Sequence, residues 1–190
     1  FYQGVMLVHQ DAIRNGGNHD PKLTYMTKGG SSNTFSAQIG FKSKKLDASM
    51  NYTRITSDGR YLMPREWGRE LFYTFMPRER NEGAGDVHAF MAKATISSKN
   101  GRLKNGLGYG YYDMPDVKNY RLNKYGMPSY YQLLTDVRYN FQGFLKGTSV
   151  RLIYLYKGNL EKGLTNQKYM IHKVNMQHVN FIVDYWFGKK

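Results

Sequence analysis

The sequence predicts an all-β fold, an antiparallel up-and-down β-barrel, and three observations carry that expectation. Apolar residues recur with a period of two over most of the chain. Connections between the alternating stretches are long and short in turn. Aromatic residues make up 15% of the 190 residues, with 17 tyrosines, while mean hydropathy is only −0.65, a pairing that suits sheets with two unlike faces.

Taken in chain order, residues 2–10 read as a strand with poor alternation. Residues 35–42 place Phe35, Ala37, Ile39 and Phe41 on one face and Ser36, Gln38, Gly40 and Lys42 on the other. Residues 46–53 oppose Leu46, Ala48, Met50 and Tyr52 to Asp47, Ser49, Asn51 and Thr53. The stretch 86–97 again alternates poorly. In 103–111, Leu103, Leu107, Tyr109 and Tyr111 stand opposite Lys104, Gly106, Gly108 and Gly110. In 131–141, Tyr131, Leu133, Val137, Tyr139 and Phe141 stand opposite Gln132, Asp136, Arg138 and Asn140. The last two stretches, 149–157 and 178–187, set Val150, Leu152, Tyr154, Tyr156, Val179, Phe181, Val183, Tyr185 and Phe187 against Arg151, Lys157, His178, Asn180 and Asp184.

The short connections are Ser43 to Lys45, the Asn100-Gly101 turn and Gly143 to Gly147, and Asn-Gly is a strong two-residue hairpin signal. Long segments at about 11–33, 57–85, 114–128 and 158–176 lie between them. About eight strands in a meander follow, with tight turns at one end and long external loops at the other. Short turns, long loops and dyad alternation describe a transmembrane outer-membrane barrel. A soluble sandwich or lipocalin-like barrel has the same period with its apolar face turned inward. Tyr and Phe near strand ends, as aromatic girdles require, favour the membrane form.

The chain is long enough for a single domain over residues 1–190. It lacks cysteine, which removes disulfide and cysteine-zinc readings. Its longest apolar runs fall far short of the roughly 20 residues of a membrane helix. "FYQGVMLVHQ" begins as though inside a strand, without basic leader or cleavage motif, so the expectation is a mature chain or a piece of a longer one. A net charge of +14 attracts anions of some class: nucleic acid, anionic lipid or carboxylate solutes.

Two stretches, "PREWGRELFYTFMPRERNEG" and "HKVNMQHVNFIVDYWF", together with Asp86, Val87 and His88, resemble the C-terminal part of OprD-type outer-membrane porins, in the form met in Bacteroidetes-like bacteria. The resemblance implies the C-terminal part of a monomeric barrel of about 18 strands. It implies a passive, substrate-selective channel in the bacterial outer membrane for small polar solutes bearing carboxylates, such as amino acids and small peptides. The implied surroundings are outer-membrane lipid and lipopolysaccharide, with no enzymatic activity, cofactor, metal or nucleic acid. In the family a basic ladder on the wall faces acidic groups of an inward-folded loop. The matching wall positions here are Lys42, Lys104, Arg138, Arg151 and Lys157, and the inward loop is expected in the N-terminal half of the family barrel. Tyr185 and Phe187 fit the family's aromatic ending, whereas Gly188, Lys189 and Lys190 depart from it.

Guanidinium groups bind carboxylates through two parallel bonds and suit a selective wall, which singles out Arg138 and Arg151. The structural alternative pairs them with Asp136 or Asp184. In the loop 57–85, Arg65, Arg69, Arg78 and Arg80 stand near Glu66, Glu70, Glu79 and Glu82, a balance that fits a folded loop at a pore mouth, with one or two arginines lining the entrance. Trp67, Phe72, Tyr73 and Phe75 offer that loop a small core. Gly106, Gly108 and Gly110 share one face, either as room for a loop or solute near the wall or as relief for twist. The five histidines show no metal spacing, and Asp86 with His88 lacks the second acidic cluster of a barrel protease. A small closed barrel with an anchoring or adhesion role is the alternative function. A nucleic-acid-binding sheet is the third, and it needs rings and cations on one face.

Overall fold

The computed structural model describes residues 1–13, 16–17, 24–63 and 68–187. Its strands are β1 (Tyr2–Asp11), β2 (Gly16–Gly17), β3 (Thr24–Met26), β4 (Ser31–Lys42), β5 (Leu46–Ile55), β6 (Val87–Ser97), β7 (Leu103–Asp113), β8 (Tyr130–Asn140), β9 (Thr148–Asn159) and β10 (Met176–Tyr185). Eight of them form one antiparallel up-and-down sheet in the order β1-β4-β5-β6-β7-β8-β9-β10, and β2 with β3 makes a separate small hairpin inside the first long segment. Among the described residues β1 and β10 are each paired along one side only, so the sheet is open. Two single turns of 3-10 helix, Gly143–Leu145 and Gln167–Tyr169, lie in connections.

The period of two sorts the side chains onto two unlike faces, because successive strand residues point to opposite sides. The bare face exposes Val5, Leu7, Ile39, Met50, Leu107, Leu133, Leu152, Val179 and Phe181. Rings collect at both ends of this apolar band. Toward the long loops, Tyr52 stands 4.7 Å from Phe90 and 6.5 Å from Phe35, and Tyr131 stands 5.9 Å from Tyr156 and 6.4 Å from Tyr109. Toward the tight turns, the pairs are Phe1 with Phe41 at 5.6 Å, Tyr139 with Phe141 at 5.0 Å and Tyr185 with Phe187 at 4.6 Å. Along β8, Tyr131 and Tyr139 are eight residues apart, about 27 Å of strand.

The other face is polar and, toward the long-loop end, covered. There the described residues of segment 57–85 pack on the sheet, a place that its expected position at a pore mouth allows. Phe72 and Tyr61 are buried with Ile55, Val87, Ala89, Tyr112 and Tyr130 in one cluster, and Met76 is buried as well. Each large side chain so covered contributes roughly 1.5 to 3 kcal/mol. This burial also explains the weak alternation of β1 and β6. Met6 on β1 packs against the same cluster, and Val87, Ala89 and Met91 on β6 are buried on the covered face, so apolar residues occupy both phases.

Tight turns sit where they were expected, and Gly101, Gly143 and Gly147 supply backbone at φ 69°, 64° and 99°, which L-residues rarely adopt. Segment 114–128 is held in shape by its own hydrogen bonds. Asn123 Nδ2 donates to Pro115 O and Met127 O, both at 2.8 Å, while its Oδ1 accepts from Met127 N at 2.9 Å. Backbone bonds from Gly85 N to Leu122 O (2.8 Å) and from Lys124 N to Gly83 O (2.9 Å) tie segment 114–128 to segment 57–85.

Candidate functional site

On the covered face two zones follow one another between the long loops and the tight turns. The first is the seat of the loop. Met76 crosses β7 above its glycines: a Cβ on Gly110 would lie 2.9 Å from Met76 Sδ, and one on Gly108 3.5 Å from Met76 Cε. The glycine face therefore provides room for a loop close to the wall. Ser36 Oγ accepts from Tyr73 N at 3.1 Å, the Thr53 and Thr74 hydroxyls meet at 2.9 Å, and Gln132 Nε2 donates to Pro77 O at 2.9 Å. These contacts place the loop against β4, β5 and β8.

Two buried carboxylates hold the loop in shape. Glu79 Oε2 accepts from Met76 N at 2.7 Å and from Tyr112 Oη at 3.2 Å, and its Oε1 accepts from Asn81 Nδ2 at 2.6 Å. Glu70 accepts from Asn81 N and Asn81 Nδ2, both at 2.8 Å, and from Glu82 N at 3.0 Å. Neither carboxylate forms an ion pair among the described residues. Burial raises the Glu79 carboxyl well above its ordinary range, the Glu70 charge adds to this, and the donated bonds oppose it. Burial likewise raises Glu70, against the bonds from Asn81 and Glu82. Lys157 Nζ, on a residue 1% exposed, lies 3.5 Å from the centroid of the Tyr130 ring and donates to Arg78 O at 3.5 Å. It thus belongs to the loop seat.

The second zone, toward the tight turns, is basic. Lys104, Arg138 and Arg151 are register partners across β7, β8 and β9, so three adjacent strands present a cation at one height. With Thr95, Gly106 and Asp136 they line a cavity of about 180 Å³. Arg151 grips Asp136 through both carboxylate oxygens, Nε to Oδ1 at 2.8 Å and Nη2 to Oδ2 at 2.5 Å. Arg138 reaches Asp184 on β10, Nη2 to Oδ2 at 3.4 Å. Both arginines are thus paired with wall carboxylates, and both remain more than a third exposed on their side chains, at 44% and 37%.

The five wall cations named from sequence therefore do not form one continuous ladder. Lys104, Arg138 and Arg151 form the row. Lys42 pairs with Asp47 at 3.3 Å on the β4–β5 hairpin, and Lys157 is enclosed by the loop. Lys93, exposed on the covered face of β6 between Ser49 and Gly108, escaped sequence reasoning because β6 alternates poorly.

Of the loop arginines, Arg69 and Arg78 are exposed, and Arg78 adopts φ 67°. Arg80 lies 4.1 Å over the Tyr125 ring, donates to Tyr125 Oη at 2.8 Å and pairs with Glu82 at 3.4 Å. Arg65 lies outside the described residues, as do Pro64, Glu66 and Trp67. Phe72 enters the common core, whereas Tyr73 and Phe75 are half-buried. At the rim, Asp86 pairs with Arg54 at 2.6 Å and His88 Nδ1 meets Tyr52 Oη at 2.8 Å. No cluster of three or more His, Asp or Glu able to hold a metal occurs among the described residues. Compared with known proteins, the chain matches no family model and no curated protein.

Proposed function

We propose that this sheet is a wall of an outer-membrane channel of the OprD-like kind, completed into a barrel by strands that pair with the free edges of β1 and β10. Small carboxylate-bearing solutes diffuse along its polar face, and segment 57–85 narrows the passage. The observation that carries this reading is the contrast between the faces: an apolar band bounded by two sets of aromatic rings on one side, a polar wall with an inlaid loop on the other. Such a band, about 25 Å tall between aromatic girdles, fits a bilayer. A soluble barrel would turn its apolar face inward.

Selectivity then falls to the row Lys104, Arg138 and Arg151. Asp136 and Asp184 hold the two guanidiniums in place while leaving part of each hydrated, so an incoming carboxylate exchanges with a wall carboxylate instead of binding without release. The acidic partners lie on the wall itself, and the glutamates of the loop serve its own fold.

Single-channel recording of the full gene product in a planar bilayer tests this. Conductance blocked by small carboxylates, with the block weakened about tenfold in Arg151→Gln or Arg138→Gln, is the expected result for loss of a charge-assisted pair. A silent bilayer refutes it. The deep packing of the loop on the wall favours a second reading, a closed barrel with an anchoring or adhesion role, which predicts insertion without conductance.

A further inference from the structure

The tight-turn end of the sheet carries a charge pattern that solute conduction does not use. Segments 43–45, 98–102 and 141–147 contain Lys44, Lys45, Lys99, Arg102 and Lys146 and no aspartate or glutamate. Lys44, Lys45, Lys99 and Lys146 are exposed, without an ion pair among the described residues. The long connections are mixed in sign by contrast, with Asp58, Glu70, Glu79, Glu82, Asp86, Asp116 and Glu161 among their lysines and arginines.

Next to these cations stand exposed rings and apolar groups. Phe144 and Phe187 are almost wholly exposed, at 102% and 91%, and Leu145 and Trp186 accompany them. Arg102 reaches the neighbouring turn, where Nη2 donates to Gln142 Oε1. Beside that bridge a cleft of about 810 Å³ opens between the second and third turns, lined by Arg102, Phe141, Lys146, Ser149, Asp184 and Trp186 among others, with the Asp184 carboxylate paired to Arg138. Cations at the level of headgroups with aromatic and aliphatic groups beside them are how proteins engage an anionic bilayer surface.

We infer that this rim binds the phosphates of anionic glycerophospholipids in the leaflet at the tight-turn end, with the cleft between the second and third turns seating one headgroup. The inference rests on the membrane reading above. It adds a lipid of defined charge to a surface that needs only apolar contact to insert. Charge complementarity selects the occupant: a zwitterionic headgroup offers no net charge to five cations, whereas phosphatidylglycerol offers one per molecule.

The test uses the full gene product in neutral detergent micelles with equal amounts of phosphatidylglycerol and phosphatidylcholine, the retained lipids being counted by native mass spectrometry. Wild type is expected to retain the anionic lipid preferentially. The Lys44→Gln, Lys45→Gln, Lys99→Gln and Lys146→Gln variants are expected to lose that preference by up to about fivefold per cation, reaching parity when combined. Arg102 stays in place because it bridges two turns, and heat-modifiable gel migration verifies folding of each variant. Parity in wild type, or a preference unchanged in the combined variant, overturns the inference. So does displacement by millimolar inorganic phosphate, which would mark a free-anion site, or variant-sensitive sedimentation with peptidoglycan in place of lipid selection. Conductance of the same preparation separates this inference from the channel. A silent protein that selects phosphatidylglycerol sinks only the channel, and a conducting one at parity sinks only the lipid site.

Discussion

Glu79 is the group whose removal distinguishes a loop built onto the wall from one resting against it. In Glu79→Ala the Met76 amide loses its acceptor at 2.7 Å, and Asn81 Nδ2 loses one of its two. Tyr112 keeps its bond to Thr74 O at 2.8 Å, so its hydroxyl proton remains satisfied. Two buried N–H groups, the Met76 amide and one of the pair on Asn81 Nδ2, lose their acceptors, at a cost of roughly 1 to 3 kcal/mol each. Loss of the buried charge returns part of its desolvation cost, which leaves a net weakening of about 2 to 4 kcal/mol. Because every 1.4 kcal/mol is about tenfold, amides of residues 72–82 should exchange roughly 30-fold to several-hundred-fold faster, with the strand amides of β7 and β8 unchanged. Hydrogen exchange read by mass spectrometry on the folded protein measures this directly. Glu79→Gln retains an oxygen for Met76 N and Tyr112 Oη and loses only the acceptor of Asn81 Nδ2, so its exchange should lie between that of wild type and Glu79→Ala. Equal protection of residues 72–82 in wild type and Glu79→Ala would refute the claim that this carboxylate holds the loop.

Two further outcomes follow from the same seat. Burial raises the pKa of both Glu70 and Glu79 above the ordinary 4.5, so ionisation opposes docking. Docking is strongest below the unfolded-state value and weakens as pH rises through the folded-state values. Lys157, a buried cation whose own contribution to the pH dependence has the opposite sign, faces the pair together with Tyr112, Tyr130, Asn81 and Arg78, so the contribution of the glutamates is read against a variant that lacks them. Relative to Glu79→Gln with Glu70→Gln, protection of residues 72–82 in wild type should gain at about pH 5 over about pH 8. Gly110→Ala places a Cβ 2.6 Å from Tyr112 Cε2 and 2.9 Å from Met76 Sδ. The loop should lift at a cost of about 1 to 3 kcal/mol, read as faster cleavage within 68–85 by added protease.

Period two, the alternation of connection lengths and Asn-Gly turn chemistry were enough to determine from sequence the eight-strand meander, its antiparallel order and the two unlike faces. Those signals are local, because strand geometry sends alternate side chains to opposite sides wherever the strand ends up. The same reasoning faltered at β1 and β6, whose covered faces are apolar because Phe72 and Tyr61 come from another part of the chain to share their cluster. For the same reason no local pattern marked Lys93 as part of the polar face, nor separated Lys157 from the row formed by Lys104, Arg138 and Arg151. Balanced charges in "PREWGRELFYTFMPRERNEGAG" pointed to a folded loop, yet Glu70 and Glu79 satisfy amides and a tyrosine instead of arginines. Which glycine face receives the loop and which cations meet at one height depend on register between distant strands and on the path of a long connection. Only the tertiary structure decides them, because those contacts join residues with no common period in the sequence.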